Sequence, residues 1–387
     1  MRISSEIVVV GLGAMGAATA YQLSKRNVRV IGLEQFKIGH SRGSSHGESR
    51  IVRQACYEHP SYAPLSLRSY QLLDELETRT GRRHSVRCGG LMIGLPDSTP
   101  VTGSVETARI HKLSYELLES RDIRRRFPAL NVADDHVAFF EAKAGAVFPE
   151  MMVQSWIRIA KAAGVEVCES HCVMAVEPHA GGVRVRGEGF VVDADQAIVT
   201  AGPWLDTLFP EMRSYLSIER IVQHWFKPKR PALFHPSAFP IFYWDRGAYQ
   251  LYGFPSVDPA HQFVKVGLDN DRRACRPDSV DREITTEELI RLDVALGADI
   301  PALQGSYVRS EPCLWTVSQD RNLIVGRHPD HEQIIIAGGC SGRGFKFAPV
   351  IGEVLAQLAL TGRTQHDVTR FSPRRMPTAR AFIGVSG

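Results

Sequence analysis

Ile7-Val-Val-Val10 runs directly into Gly11-Leu-Gly13-Ala-Met15-Gly16, an apolar strand meeting a glycine-rich turn that opens a helix. The glycines have separate tasks. Gly11 makes the tight strand-to-helix turn, Gly13 lets backbone N–H groups approach a pyrophosphate, and Gly16 lets helix and strand pack closely. Ala20 and Leu23 continue the helix face, and Asn27, which tolerates a left-handed C-cap, precedes a strand predicted over Val28 to Leu33. Glu34 ends that strand, at the roughly 20-residue offset where a carboxylate accepts a ribose hydroxyl. Strand, helix and acid together predict a dinucleotide-binding βαβ unit and an α/β fold; which dinucleotide is left open by this unit.

The 387 residues, 44% of them hydrophobic, suffice for two domains with proper cores. A formal net charge of +4 argues against a nucleic-acid partner, and the clusters Arg124 to Arg126 and Arg272-Arg273 read as solvated faces. The seven cysteines, Cys56, Cys88, Cys168, Cys172, Cys275, Cys313 and Cys340, are scattered without CxxC spacing. This pattern predicts a reducing compartment and no metal site. No apolar run reaches the roughly 18 residues of a membrane span, and the first strand begins without a signal-peptide core, so the expectation is a cytoplasmic protein away from membranes.

The chain reads as a discontinuous first domain, residues 1–85, 145–217 and 313–387, interrupted by a substrate domain of residues 86–144 and 218–312. After Glu34 a polar loop, His40-Ser-Arg-Gly-Ser-Ser-His46-Gly-Glu-Ser-Arg50, stands where a parallel sheet covers its cofactor. Helices are predicted over Tyr62 to Thr78, within the charged stretch Val105 to Arg126, and over Met151 to Ala163. Strands are predicted at Cys88 to Gly94, at Val165 to Cys168, in a hairpin Gly182 to Val192, and at Ala197 to Ala201 before Gly202-Pro-Trp204. Residues 218–312 alternate like the strands of a second sheet, and the tail after Phe371 is expected to be loosely ordered.

A second strand, glycine turn and helix recur at Gln333 to Ala337, Gly338-Gly-Cys-Ser-Gly342-Arg-Gly344 and Lys346 to Leu360. Two helix N-termini are two preformed anion sites, one for a pyrophosphate and one for the electron-rich end of a flavin ring, which favours FAD over a nicotinamide cofactor. Taken without further context, Gly338 to Gly344 also reads as a flexible connection, Cys313 as a buried structural thiol, and Arg53, Lys265 and Lys346 as ordinary cations.

The GLGAMG turn with Glu34, the loop Ser44-Ser-His46-Gly-Glu-Ser-Arg50-Ile-Val-Arg53, Tyr252-Gly-Phe-Pro255, Lys265, Pro312-Cys313-Leu-Trp315-Thr, and Gly338 to Phe347 together resemble the sarcosine oxidase and N-methyltryptophan oxidase family. The resemblance runs from residue 6 to about 372. It implies an FAD-binding Rossmann-like domain of the D-amino-acid oxidase type with an inserted α+β substrate domain on an antiparallel sheet. It also implies a flavin-dependent oxidation of a secondary or N-alkyl amino acid at its C–N bond. Hydride equivalents pass to the flavin, an imine forms and hydrolyses, and O2 is reduced to H2O2 by a monomeric enzyme.

By the same resemblance Cys313 bonds covalently to FAD, His46 and Arg50 line one flavin face, and Lys265 on the other stabilises charge developing on O2. Arg53 and Lys346 clamp the substrate carboxylate, and Tyr252 shapes the pocket. Cofactor contacts are expected from Gly11, Gly13, Met15, Gly16, Glu34, Ser41, Ser44, Val173, Gly202, Trp204, Gly342, Gly344, Phe345 and Lys346. Strand parity places Phe263, Lys265, Gly267 and Asp269 on one face, opposite Val264, Val266 and Leu268.

Two positions depart from the family pattern: Asp269 stands where the family has histidine, and Trp315 where it has tyrosine. An acceptor-only carboxylate in a pocket lined by Tyr243, Trp244, Tyr252 and Trp315 calls for a donor, which predicts a substrate larger than sarcosine whose ammonium reaches Asp269. Two alternatives stay open, a dehydrogenase using another electron acceptor and a flavin-binding subunit of a larger oxidase complex.

Overall fold

The computed structural model describes residues 2–258 and 260–376. The first strand, β1 (Arg2–Val10), lies parallel to β2 (Val30–Glu34), with Ile7 opposite Val30, and the helix α1 (Ala14–Leu23) connects them. All ten residues of α1 are buried, because the helices Pro149–Ala162 and Ala348–Thr361 pack on either side. That burial explains the small residues: a Cβ added to Gly352 would sit 2.6 Å from the Ala18 carbonyl carbon. The helix ends at Leu23, earlier than the cap predicted at Asn27. Ser24 keeps a right-handed φ of −63°, and Lys25 and Arg26 leave through turns onto Gln22 and Leu23, so no left-handed residue is needed.

Around β1 and β2 an eight-stranded sheet forms. Its path is Val173–His179, Gly182–Gly187, Phe190–Val199, β1, β2 and Glu166–Glu169; Ile334–Gly338 lies parallel to Phe190–Val199, with Ile324–Arg327 beside it. The predicted hairpin forms, and its second arm and the predicted strand at Ala197 are one ten-residue strand. Its outer half alternates polar and apolar residues and pairs with Gly182–Gly187, whereas its inner half is buried and pairs with Ile334–Gly338.

The second sheet has nine strands and is mainly antiparallel. Leu216–Phe226 pairs along its whole length with Tyr307–Ser318, placing Ile221 opposite Cys313. The boundary expected at residue 313 therefore falls inside a strand that belongs entirely to this sheet. Two elements here escaped the strand-like reading of the sequence. Thr286–Asp299 is a helix started by a capping box of Thr285 and Glu288, and Glu116–Glu119 is an edge strand inside a stretch predicted as helical. At the far end, Arg375 binds Asp320 at 2.7 Å and orders a turn at Pro373–Arg375; the rest of the expected loose tail, residues 377–387, lies outside the described residues. Among the described residues no helix is long and apolar enough to cross a membrane.

Gly16 is where the first βαβ unit is least tolerant of change, since a Cβ there would lie 1.9 Å from the Gly11 carbonyl oxygen. Gly16→Ala is expected to push α1 off the turn, costing about 1–3 kcal/mol of stability as overpacking does, and to abolish cofactor uptake. Thermal denaturation and flavin titration of the variant check both.

Candidate active site

The first glycine turn is held from three sides. Gly11 takes a φ of +84° and donates its N–H to Leu33, while its carbonyl accepts the Thr200 hydroxyl at 2.6 Å. Leu12 donates its N–H to Glu34 Oε2 at 2.8 Å, and Ala14 donates to Ser45 Oγ at 3.0 Å. Burial pushes the Glu34 carboxyl upward, but His40 and the amides of Leu12 and Phe36 outweigh it and hold it below the usual carboxylate range. An anionic Glu34 thus ends β2 where the ribose acceptor was expected.

A cleft runs from this turn across the C-terminal ends of the first sheet. Gly11, Gly13, Met15, Glu34, Ser44, Val173, Gly202, Trp204, Gly342, Gly344 and Phe345 line it as expected, and Trp315, expected in the substrate pocket, lines it as well. Four expected cofactor contacts do not: Ser41, Gly16, and Cys313 and Lys346, which stand beyond it. Ser41 is exposed outside the cleft, where Ser45 stands in its place, and Gly16 serves packing alone. The residues present suit a flavin dinucleotide: α1 starts at Gly13 without a side-chain cap, a Cβ on Gly202 would meet nothing within 4 Å, and a second glycine turn faces the first across the cleft.

A second chamber opens off the cleft and shares Arg50, Trp315, Gly342 and Phe345 with it. Cys313 sits at this junction, buried, with Sγ 3.4 Å from Arg50 Nη2. Burial alone would raise the thiol, but His46, Arg50 and Lys265 bring it down to about 7. His46 moves the opposite way. Against burial, the Cys313 thiolate and Glu311, whose Oε1 is 3.4 Å from Nδ1, lift the imidazole to about 9. His46 lies behind Cys313 and lines neither cavity. By contrast, burial pushes Cys340, in the second glycine turn, up to about 12. All seven cysteines are unbridged, and Cys313 is the one whose surroundings favour the thiolate.

Farther into the chamber the expected carboxylate clamp is already engaged. Arg53 donates to Ala55 O at 2.6 Å and pairs with Glu58 at 2.7 Å, both side chains being buried. Burial raises Glu58, yet Arg53, Lys346 and Arg343 together hold it at about 2. Its Oε2 has no hydrogen-bond partner. Lys346 donates to the Arg343 carbonyl at 3.0 Å, and burial lowers its ammonium to about 8. Lys346 lines the chamber rather than the cofactor cleft. Lys265 is buried and donates to the carbonyls of Gly47 at 2.8 Å and Ser49 at 2.5 Å and to Gln223 Oε1 at 3.3 Å; burial, with Arg50 nearby, pulls its ammonium well down.

Lys265 and Asp269 share the chamber, as parity suggested, and Tyr243 and Tyr252 line it with them. Trp244, adjacent in its strand to Tyr243, points to the opposite face and is fully buried in the core packed against the second sheet. Asp269 finds its donor within the protein, because the Tyr243 hydroxyl binds Oδ2 at 3.1 Å. Burial raises its carboxyl and outweighs Arg272, the Tyr243 hydroxyl, Arg321 and Arg343, which lower it, so the ammonium donor expected from a substrate is not required. Sequence reasoning missed Tyr57, Glu58, Gln223, Arg321 and Arg343, which also line this chamber. Only Glu58 carried a local signal, standing five residues after Arg53.

A family model described as FAD dependent oxidoreductase matches residues 6–358. The chain belongs to this family. The oxidoreductase is 41% identical over 379 residues to a monomeric sarcosine oxidase of Streptomyces avermitilis, covering 97% of this chain and 99% of that protein. It is 29% identical to an N-methyl-L-tryptophan oxidase of Salmonella enteritidis over 95% of this chain and 97% of the other. Two solved structures share the fold. NikD, an unusual amino acid oxidase, superposes with a TM-score of 0.84 at 24% identity over 96% and 98% of the two chains. Glycine oxidase from Geobacillus kaustophilus gives 0.82 at 19% identity over 97% and 100%.

The thiolate at Cys313 depends on the cation behind it. His46→Asn in the oxidoreductase apoprotein is expected to return the Cys313 thiol from about 7 toward the ordinary value of 9.0, read from the pH dependence of ultraviolet thiolate absorbance against a Cys313→Ser background.

Proposed function

We propose that the chain oxidises the C–N bond of a secondary or N-alkyl amino acid to an imine, which water hydrolyses, with O2 reduced to H2O2. The observation that carries this reading is one chamber holding two cations for a carboxylate, Arg53 and Lys346, that opens onto a dinucleotide cleft beside Cys313. FAD, when bound, supplies the two-electron acceptor that O2 restores. The similarity to a sarcosine oxidase and an N-methyl-L-tryptophan oxidase supports the substrate class. The first is a monomeric enzyme, which supports action as a single chain, and the seven unbridged cysteines fit the cytoplasm.

Each residue's part follows from its setting. Cys313, kept ionised by His46 and Arg50, would be the residue that holds the flavin through a thioether. Arg50 also holds a positive charge at the junction of the two cavities, where it favours an electron-rich ring. Arg53 exchanges Glu58 for the substrate carboxylate, to which its planar fork presents two N–H groups, and Lys346 adds a point charge. Tyr252 donates its hydroxyl toward the same carboxylate. Lys265, fixed by two carbonyls, stabilises negative charge as O2 accepts electrons.

The test is to incubate the purified protein with a panel of secondary amino acids, measure H2O2, and precipitate it with acid. Peroxide formation and a yellow pellet whose flavin maps to the Cys313 peptide are expected. Substrate bleaching without peroxide points to a dehydrogenase, and a colourless pellet removes the covalent assignment.

Lys346 also sets a pH dependence. Its ammonium, lowered to about 8, is charged below that pH and neutral above it. KM for an amino acid substrate is therefore expected to rise as pH passes about 8. Lys346→Met should show a high KM without that rise, measured by steady-state kinetics across the range.

A further inference from the structure

Six cationic side chains line the second chamber, Arg50, Arg53, Lys265, Arg321, Arg343 and Lys346, against two carboxylates, Glu58 and Asp269. Four of the cations are occupied. Arg50 donates to Gln223, Lys265 to the loop carbonyls, Arg53 to Glu58 and Ala55, and Lys346 to the Arg343 carbonyl. The other two are held less: Arg321 has no such partner and Arg343 has a single long ion pair. Among the described residues the Arg321 guanidinium has no hydrogen bond and no ion pair. Arg343 comes no closer than 3.8 Å to Glu58 Oε1, an oxygen Arg53 already holds at 2.7 Å.

Arg321 and Arg343 line the same chamber as Asp269, and both act electrostatically on its carboxyl. Asp269 does not consume them, since its bonded partner is the Tyr243 hydroxyl. Arg321 also stands at a φ of +56°, a conformation that costs a non-glycine residue energy and recurs where function fixes a side chain. A guanidinium presents five N–H donors in a planar fork that matches a carboxylate, and donors left unmet in a part-buried site are costly.

We propose that the substrate is an N-substituted amino dicarboxylate, with its α-carboxylate on Arg53 and Lys346 and its second carboxylate on Arg321 and Arg343. The assignment rests on the reading of the chain as a secondary amino acid oxidase and names the substrate class of that same chamber. It reverses the expectation of a cationic substrate group at Asp269, because the charge left over in the chamber is positive.

The experiment pairs substrates of equal length on the holoenzyme, N-methyl-L-glutamate against its neutral amide N-methyl-L-glutamine. The acid is expected to exceed the amide in kcat/KM by about tenfold or more, the scale of a part-buried charge pair. Arg321→Met and Arg343→Met should bring the ratio toward one by lowering the acid more than the amide, Arg321→Lys should keep part of it, and Arg53→Ala should lower both substrates by a similar factor. A second arm needs no turnover: glutarate and butyrate are titrated calorimetrically into wild type and Arg321→Met. Glutarate should bind more tightly, and the substitution should erase the difference. Equal turnover of acid and amide with equal binding of the two anions overturns the proposal while the oxidase reading stands. If no secondary amino acid is oxidised but glutarate binding still depends on Arg321, the oxidase reading fails and the anion subsite is retained.

Discussion

Burying an ammonium group far from bulk water costs several kcal/mol unless its donors are met, and the way Lys265 meets this condition organises the site. Its Nζ takes the carbonyls of Gly47 and Ser49 and the oxygen of Gln223, each such charge-assisted bond contributing about 1.5–3 kcal/mol. The carbonyls face inward because Gly47 and Glu48 take successive left-handed conformations and both donate their N–H groups to Glu150. Gly47 cannot carry a side chain, since a Cβ would lie 2.2 Å from Gln223 Oε1. One lysine of the second sheet thereby fixes a loop of the first domain. That loop delivers His46 and Arg50 to Cys313, which arrives on a strand of the second sheet.

The same reasoning accounts for the chamber beyond. Arg53 is supported from beneath by Glu141, whose carboxylate collects the N–H groups of Gln54 and Ala55. Its guanidinium lies 4.4 Å above the Tyr57 ring and is neutralised by Glu58. Glu58 behaves as a resident stand-in for an anion. It satisfies the cation, leaves one of its own oxygens unpartnered, and is held ionised by three positive neighbours. A site that keeps more cations than carboxylates in a low-dielectric setting is prepared for negative charge, whatever molecule brings it.

Much of the frame was legible in the chain. The first glycine turn, Glu34, the hairpin at Gly187 and the second glycine turn all follow from local rules, because apolar periodicity, glycine placement and strand length act within about 20 residues. Local rules also failed locally. Trp244 looked like a site residue beside Tyr243, yet strand alternation sends neighbours to opposite faces, and the helix at Thr286–Asp299 was lost among alternating residues although its capping box was present. The residues taken over from the family resemblance landed in or beside the two cavities, apart from Ser41 and Gly16 among the cofactor contacts.

What the sequence by itself determined was the dinucleotide-binding unit, the α/β class and the set of chemically capable side chains, since these depend on short-range pattern and composition. Only the tertiary structure decided which of them share charge. Arg321 and Glu58 carry no functional reading in the sequence until folding places both on the wall of one chamber with Asp269, more than 200 positions from Glu58. The state of Cys313 is likewise set by His46 and Arg50, brought from the other end of the chain. Burial, proximity and unmet donors are properties of through-space neighbours, and a linear chain does not state who those neighbours are.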